Sequence, residues 1–203
     1  MQRGEKSERS RRLVLDSALD LFSRHGYRAT SVRDIAEGAG ISTGNVYHHF
    51  PDKEAIFKTL LDELLNLTNT RRFPFQRALI GGQFPDNLEE LGLAARESIR
   101  EFRRHFILIY VDVLEFDGSH VRRFYGEMAK RFEETLAKDG ALGRIAARLR
   151  PGVAPISALM LTTRIFFSYF TIEVVFKVPE PFGKESAQVV REIADILRAG
   201  MIE

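Results

Sequence analysis

The stretch Thr30–Lys53 reads TSVRDIAEGAGISTGNVYHHFPDK, and its spacing predicts two short helices joined by a tight turn. Thr30 is expected to open the first helix, because its hydroxyl can accept a hydrogen bond from an early backbone N–H. Gly40 is expected to end that helix in the left-handed conformation, and Ser42 is expected to cap the second helix. Two helices linked by a Gly-containing turn form a helix-turn-helix, in which the second helix enters the DNA major groove.

A longer helix is predicted on each side of this stretch. From about Arg9 to Arg24, apolar residues recur at three- and four-residue spacing, which places them on one face of a helix. Asp52 is expected to cap a helix that runs to about Asn66 or Thr70. The inward-facing residues of these helices are predicted to share a small core, and they are Val14, Ala18, Leu21, Phe22, Val32, Ile35, Ala36, Ile41, Val46 and Phe50.

These residues resemble the tetracycline-repressor (TetR) family of transcriptional regulators. The resemblance passes, in order and at fixed spacing, through Ala18–Phe22, Gly26-Tyr27, Thr30, Asp34–Ala36, Ala39–Ser42, Val46–Phe50 and Lys53-Glu54. It covers about the first sixty residues, and no motif matches beyond about Asn66. The resemblance implies a DNA-binding domain over residues 8–68, with the helix-turn-helix at about 31–50, and a helical regulatory and dimerisation domain over residues 69–203.

The resemblance also implies which residues contact DNA. Thr43, Asn45 and His48 are the candidates for base contacts, and an Asn side chain can pair with adenine through two hydrogen bonds. Gly44 has no side chain, so the second helix can approach the groove closely. The candidates for phosphate contacts are Thr30, Ser31, Arg33, Ser42, Tyr47 and Lys53. Two alternatives stay open, since Tyr47 could instead pack in the core and Asn45 could simply face solvent.

Charge alone gives little indication of the partner. The net charge is +2, and residues 1–55 carry nine Lys or Arg against eight Asp or Glu. Basic residues do crowd the N-terminus, at Arg3, Lys6, Arg9, Arg11 and Arg12. Two interpretations of this segment stay open: a solvated, disordered tail, and an arm that contacts DNA phosphates.

Several classes of function are not expected. The chain has no Cys, which excludes disulfides and thiolate chemistry. His48 and His49 are adjacent, and adjacent residues on a helix point about 100° apart, so we expect no metal site. There is no nucleophile–base motif and no phosphate-binding Gly loop, so we expect neither an enzyme nor a cofactor. The polar N-terminus lacks the apolar run of a signal peptide, which favours a cytoplasmic protein.

The rest of the chain predicts an all-α domain and about nine helices in total. Residues 71–85 are expected to be loop-like, because they include Pro74, Gly81, Gly82 and Pro85. Asp86 and Glu89 resemble a capping box that opens the next helix. The apolar stretch 153–176 contains Arg164 and Glu173, and such charges disfavour a membrane span, so we expect a buried or partner-facing helix and no membrane.

Aromatic residues are abundant in the second domain, where they could line a pocket for an apolar small molecule or form plain core. The candidate ligand contacts are Phe102, Phe106, Tyr110, Phe124, Met128, Arg164 and Phe167. Arg164 lies in an apolar run, where an unpaired charge would be costly. It is expected to pair with Asp112, Glu115 or Glu173, to meet an anionic ligand, or to emerge at a dimer interface.

The last two helices, about Pro155–Lys177 and Lys184–Ala199, carry more apolar surface than one small domain needs. In the resembled family such a pair forms a four-helix bundle with its symmetry mate, and Val190, Ile193 and Leu197 are the predicted interface residues. The leading interpretation is a homodimeric regulator of double-stranded DNA, a repressor released from a pseudo-palindromic operator by a small, largely apolar effector. The alternative is a helix-turn-helix DNA-binding protein with no small-molecule effector.

Overall fold

The computed structural model describes residues 3–81, 83–137 and 140–202, and this part of the chain is helical. Its only β pairing is an isolated bridge between Leu149 and Ile202, so the predicted all-α class is confirmed. The described residues form eleven α-helices instead of about nine, with a π-helical turn Thr171–Val175 after the tenth. The α-helices are α1 (Arg3–His25), α2 (Val32–Ala39), α3 (Thr43–His49), α4 (Lys53–Leu67), α5 (Pro74–Gly81), α6 (Leu88–Glu101), α7 (Arg103–Phe116), α8 (Val121–Leu136), α9 (Ala141–Ala146), α10 (Pro155–Phe170) and α11 (Ser186–Met201).

Helix α5 occupies a segment that was expected to be a loop. Pro74 lies at its first position, where the missing N–H of proline costs no helical hydrogen bond. Phe75, Ala78 and Leu79 follow at helical spacing and are buried, so burial of this face stabilises a short helix next to several helix-breaking residues. Gly82 lies outside the described residues.

Two predicted helix starts are also corrected. Helix α1 already begins at Arg3, where Glu5 in the first turn suits the positive end of the helix dipole, so the described N-terminal residues are not a disordered tail. Helix α6 is preceded by Asn87 as the cap, with no side-chain cap hydrogen bond. The carboxylate of Asp86 instead pairs with Arg148 at 2.6 Å, so the predicted capping box does not form.

The described chain divides into two compact units. The head unit comprises the described residues up to Asn66 together with Arg104–Arg123, and the second unit comprises Leu67–Arg103 and the described residues from Phe124 onward. The sequence-based division at residue 68 placed all of α7 in the second domain. In the structure, all of α7 after Arg103 clusters with the helix-turn-helix.

The core of the head unit is formed by the predicted apolar faces. Val14, Ala18 and Phe22 of α1 are fully buried, and so is Ile35 of α2. The Phe22 ring lies 5.5 Å from the Phe57 ring, edge to face, an arrangement that aromatic pairs favour. This core fixes the positions of α2 and α3 on α1.

Helix α6 is central to the second unit, where it packs against α5, α10 and α11. Close approach is possible because α6 carries Gly92: a Cβ there would lie 2.7 Å from Phe166 Cε1 and 2.8 Å from Val190 Cγ1. Such distances leave no room for a side chain. The glycine therefore sets how near α10 and α11 lie to α6.

The segment Pro155–Val175 is long and apolar enough to cross a membrane by length and composition. Within the second unit, however, Leu159, Phe166 and Phe170 of this segment are completely buried. One face of the helix thus packs against α6 inside the unit. This packing favours the expected core helix over a membrane span.

Candidate nucleic-acid interface

Helix α2 begins after a reciprocal cap at Ser31. Ser31 Oγ accepts from Asp34 N at 3.1 Å, and the Asp34 carboxylate accepts from Ser31 N at 2.8 Å. The Ser31 hydroxyl also donates to the Asp34 carboxylate at 2.6 Å, and this bond together with the one from Ser31 N lowers the pKa of Asp34, which keeps the carboxylate ionised. The predicted cap at Thr30 is therefore wrong by one residue.

Thr30 has a different role. Its side chain is buried, and its hydroxyl donates to the Gly26 carbonyl at 2.8 Å. A buried hydroxyl with an acceptor in place is poorly positioned to bind a phosphate. Ser31 and Arg33 are exposed at the start of α2, and they are the better phosphate candidates of this segment.

The turn and the second helix begin as predicted. Gly40 adopts the left-handed conformation with φ 67° and ψ 31°, and the next residue, Ile41, donates its N–H to the Ala36 carbonyl at 3.0 Å. Ser42 Oγ then accepts from Asn45 N at 3.2 Å, which caps α3. The Gly40 stop and the Ser42 start are confirmed.

Helix α3 buries one side and presents the other to solvent. Val46 is buried, as is Phe50 at the C-terminal cap. Tyr47 is 56% exposed, which rules out the alternative that it packs in the core. A Cβ at Gly44 would meet only Ser42 Oγ, at 3.9 Å, so packing within the protein does not require a glycine there. Asn45 is half-buried, and the exposed residues of α3 are Thr43, Gly44, Tyr47 and His48.

His49 ties α3 to α1. Its Nε2 lies 3.0 Å from Ser10 Oγ. Burial lowers the pKa of His49, and the nearby His48 and Arg11 lower it further, so the ring is neutral near pH 7.

His48, the neighbouring residue, is exposed. Among residues 3–81, 83–137 and 140–202, no group of three or more His, Asp or Glu is arranged to hold a metal ion.

Lys53 lies beneath the loop that joins α1 to α2. Its Nζ donates to the carbonyls of Tyr27 and Thr30, both at 2.8 Å, and lies 4.0 Å from the centroid of the Tyr27 ring. Burial lowers the pKa of Lys53, against the opposing attraction of Glu115. An ammonium has three donors, so one remains beyond these two carbonyls. The phosphate contact of Lys53 stays a prediction, and the structure adds a role in holding this loop.

The basic N-terminal segment is the first part of α1. The guanidinium of Arg11 lies 5.2 Å from the Phe50 ring centroid, and Arg12 pairs with Asp16 at 2.6 Å and with Glu63 at 3.1 Å. Lys6 and Arg9 are exposed, whereas the side chain of Arg3 lies outside the described part of the chain. A phosphate-contacting arm stays a prediction for this segment.

The predicted ligand contacts are divided between the two units. Phe106 and Tyr110 belong to the head unit, and the other candidates belong to the second unit. In the second unit, Phe102 is buried, and the Phe167 ring lies 5.2 Å from the Phe75 ring. Phe124 and Met128 lie on α8 and are half-buried.

Arg164 is exposed, contrary to the expectation of a buried charge. Its guanidinium carbon lies 4.8 Å from the centroid of the Tyr125 ring. The three acids predicted as its partners bind other groups: Glu173 binds Arg96 at 2.5 Å, Asp112 binds His120 at 2.6 Å, and Glu115 binds Tyr27 N at 2.9 Å. An exposed guanidinium carries little desolvation cost. The exposed position of Arg164 therefore does not support an anionic ligand.

The predicted dimer residues also require a correction. Val190, Ile193 and Leu197 are only 1%, 7% and 4% exposed within the second unit, so they pack in its own core and leave little surface for a partner. Their spacing was correctly interpreted as an apolar stripe, but that stripe faces inward. Ile196 lies off the stripe and is 71% exposed, and Leu161 of α10 is 50% exposed. In the sequence, an apolar residue outside this stripe, such as Ile196, was the feature that could have indicated a surface for a partner.

Comparisons with known proteins relate the head to bacterial regulatory proteins. Residues 14–60 match the family model described as bacterial regulatory proteins, tetR family. A transcriptional repressor of the HTH type from Rhodococcus jostii RHA1, KstR2, is 52% identical over 124 residues, which cover 60% of this chain and 58% of the relative. Its namesake from Mycobacterium tuberculosis H37Rv is 36% identical over 116 residues, 56% of each chain. The chain thus matches a little over half the length of these curated relatives.

Solved structures match over nearly the whole chain. A ketosteroid transcriptional regulator from Mycobacterium tuberculosis, KstR2, has a TM-score of 0.59 at 23% identity and covers 95% of each chain. A TetR family transcription regulator from Marinobacter aquaeolei VT8 has a TM-score of 0.68 at 15% identity and covers 98% of each chain. At these identities, the likeness establishes the shared fold.

Proposed function

We propose that the chain belongs to the TetR family of bacterial regulatory proteins, whose model matches residues 14–60, and that it is a sequence-specific, DNA-binding transcriptional repressor. It acts as a homodimer on double-stranded DNA in the cytoplasm, and a small, largely apolar molecule releases it. The relatives that match the head are named as transcriptional repressors of the HTH type. The family consists of regulatory proteins and not of enzymes.

The exposed side of α3 is the observation that carries this proposal. The helix is only seven residues long, yet caps at both ends and the burial of Val46 fix it on the head. Its outer side carries hydroxyl, amide, phenol and imidazole groups that make no side-chain hydrogen bond to the described residues of the head. Such groups can donate and accept hydrogen bonds at base edges in the major groove.

The proposed contacts fall into two classes. Thr43, Asn45 and His48 contact base edges, and Gly44 lets the helix approach closely. The phosphate contacts, which set the register on the duplex but carry no sequence information, come from Ser31, Arg33, Ser42, Tyr47 and the remaining donor of Lys53. Thr30 is left out of this set because its hydroxyl is buried and already bound.

A twofold dimer gives the two heads their spacing. Dimeric helix-turn-helix proteins bind half-sites about 34–36 Å apart, or a multiple of that distance, so a pseudo-palindromic operator is expected. We place the dimer contact on the outer faces of α10 and α11, where Leu161 and Ile196 are exposed. These residues replace Val190, Ile193 and Leu197 as the proposed interface.

The effector is proposed to bind the second unit. Phe124, Met128 and Phe132 recur every four residues on α8, and each is only half-buried. An apolar stripe that the protein itself covers only in part can gain burial from an apolar ligand. One solved relative is described as a ketosteroid transcriptional regulator, which makes steroid-like compounds a reasonable first set to test.

Selection of bound duplexes from a random pool tests the proposal. Enrichment of a pseudo-palindromic site is expected, and addition of an effective compound should abolish it. A pool that shows no enrichment would contradict sequence-specific binding. If a site is enriched but no apolar compound changes the enrichment, the result would support the alternative, a helix-turn-helix DNA-binding protein with no small-molecule effector.

A further inference from the structure

The loop Gly26–Thr30 connects α1 to α2 and immediately precedes the cap of α2. Gly26 has φ 82°, a conformation that residues with a side chain rarely adopt. Within the loop, Thr30 N donates to the Tyr27 carbonyl at 3.2 Å, and the Thr30 hydroxyl donates to Gly26. These bonds leave the N–H groups of Tyr27 and Arg28 available to another part of the head unit.

Glu115 of α7 binds both of these N–H groups. Its Oε1 accepts from Tyr27 N at 2.9 Å, and its Oε2 accepts from Arg28 N at 2.6 Å. A Cβ on Gly26 would lie 2.6 Å from Glu115 Oε1, so the glycine also makes room for the carboxylate. Hydrogen bonds to an ionised acceptor are shorter and stronger than neutral ones.

Two side chains of opposite charge therefore hold the backbone of the loop. Glu115 binds its N–H groups, and the ammonium of Lys53 binds its carbonyls at Tyr27 and Thr30. The exposed side chain of Arg28 lies 3.9 Å from Glu115, and an exposed pair at that distance contributes little. The backbone contacts are the ones that fix the loop.

Helix α7 is itself firmly placed in the head unit. The Phe116 ring, next to Glu115, lies 4.5 Å from the Tyr27 ring and 5.0 Å from the Phe57 ring. Near the other end of α7, Arg104 pairs with Asp20 of α1 at 3.3 Å. The carboxylate of Glu115 is thus held at the loop by contacts at both ends of its helix.

We propose that Glu115 is a positioning residue for DNA binding, although it lies more than sixty residues beyond the helix-turn-helix. It acts through the loop Gly26–Thr30 on Ser31 and Arg33, the proposed phosphate contacts at the start of α2. When the carboxylate is lost, the loop is free to shift, and the start of α2 no longer meets the phosphates in register. This inference rests on the proposed function, because it concerns how the head binds DNA.

The test uses Glu115→Gln in the full chain, with Asp117→Asn as the matched control. Gln has nearly the same shape, but its amide can accept at only one oxygen, so one of the two N–H groups loses its partner. Asp117 is fully exposed, and its φ of 53° suits Asn. Hydrogen exchange of the Tyr27 and Arg28 amides reports on the contact. Operator affinity is measured from low to high salt. The slope of log K against log salt gives the number of phosphate contacts, because each contact contributes about 0.9 to its magnitude.

For Glu115→Gln we expect faster exchange at one or both amides, operator affinity lower by roughly tenfold, and a salt slope smaller by about one phosphate. Asp117→Asn should match the wild type in all three measurements. A merely structural role would lower the melting temperature but leave the salt slope of the folded protein unchanged, and that result would overturn the inference, as would unchanged exchange at both amides. A wild-type protein that binds no duplex would instead overturn the proposed function.

Discussion

Gly92 of α6 lies directly against Val190 of α11: a methyl group added to Gly92 would lie 2.8 Å from Val190 Cγ1. Gly92→Ala should therefore destabilise the second unit by about 1–3 kcal/mol, the usual effect of overpacking a core. Urea unfolding measures the change. Gly126→Ala is the matched control, because Gly126 lies within α8 and a Cβ there meets nothing within 4 Å. That variant should be stabilised, by up to about 1 kcal/mol, and equal behaviour of the two variants would contradict the packing described.

Because the apolar stripe of α11 faces the core, substitutions at two positions of this helix should have different effects. Val190→Glu buries a charge in the core and should prevent stable folding. Ile196→Glu places a charge on the proposed dimer face and should give a folded monomer. Sedimentation together with circular dichroism separates these outcomes. A wild-type chain that is monomeric at micromolar concentration, or an Ile196→Glu variant that remains dimeric, would count against this interface.

Acidification should weaken the contact between α1 and α3. The pKa of His49 is lowered in the folded state, so the unfolded chain takes up the proton at a higher pH than the folded chain does. Stability is then lost as the pH falls through about 6.5, the value of an unperturbed His, and the loss is complete below the folded pKa.

His49→Gln should reduce this pH dependence of the free energy of unfolding between pH 8 and pH 5. The control is His25→Gln, because His25 lies exposed at the end of α1. If His49→Gln and the wild type lose the same stability over this range, His49 is not the group responsible.

The sequence predicted the parts of the fold that depend on local chemistry. Gly40 and Ser42 act within a few residues of themselves, through backbone conformation and a side-chain cap, so their roles could be inferred without a structure. Thr30 and Ser31 are both good capping residues, and the choice between them depends on the loop fold that buries Thr30. That information is tertiary and absent from the local pattern.

Longer-range relationships were not predictable in the same way. The apolar period of α11 identifies a buried face but does not say whether that face meets its own chain or a second copy. Glu115 has no local feature that distinguishes it from Asp112, the other acid of α7, since its partners lie almost ninety residues earlier in the chain. Arg164 looked buried because its neighbours are apolar, yet one face of a helix can remain in solvent while the other is core.

Asn45→Ala tests most directly the central claim that α3 reads base edges. The measurement is the affinity of the wild type and the variant for the selected operator, for each of its single-base variants, and for a random duplex. The variant should lose about 1–3 kcal/mol on the operator and its preference at one base position in each half-site, while its affinity for random DNA stays unchanged. Equal losses on the operator and on random DNA, with every base preference retained, would contradict the claim.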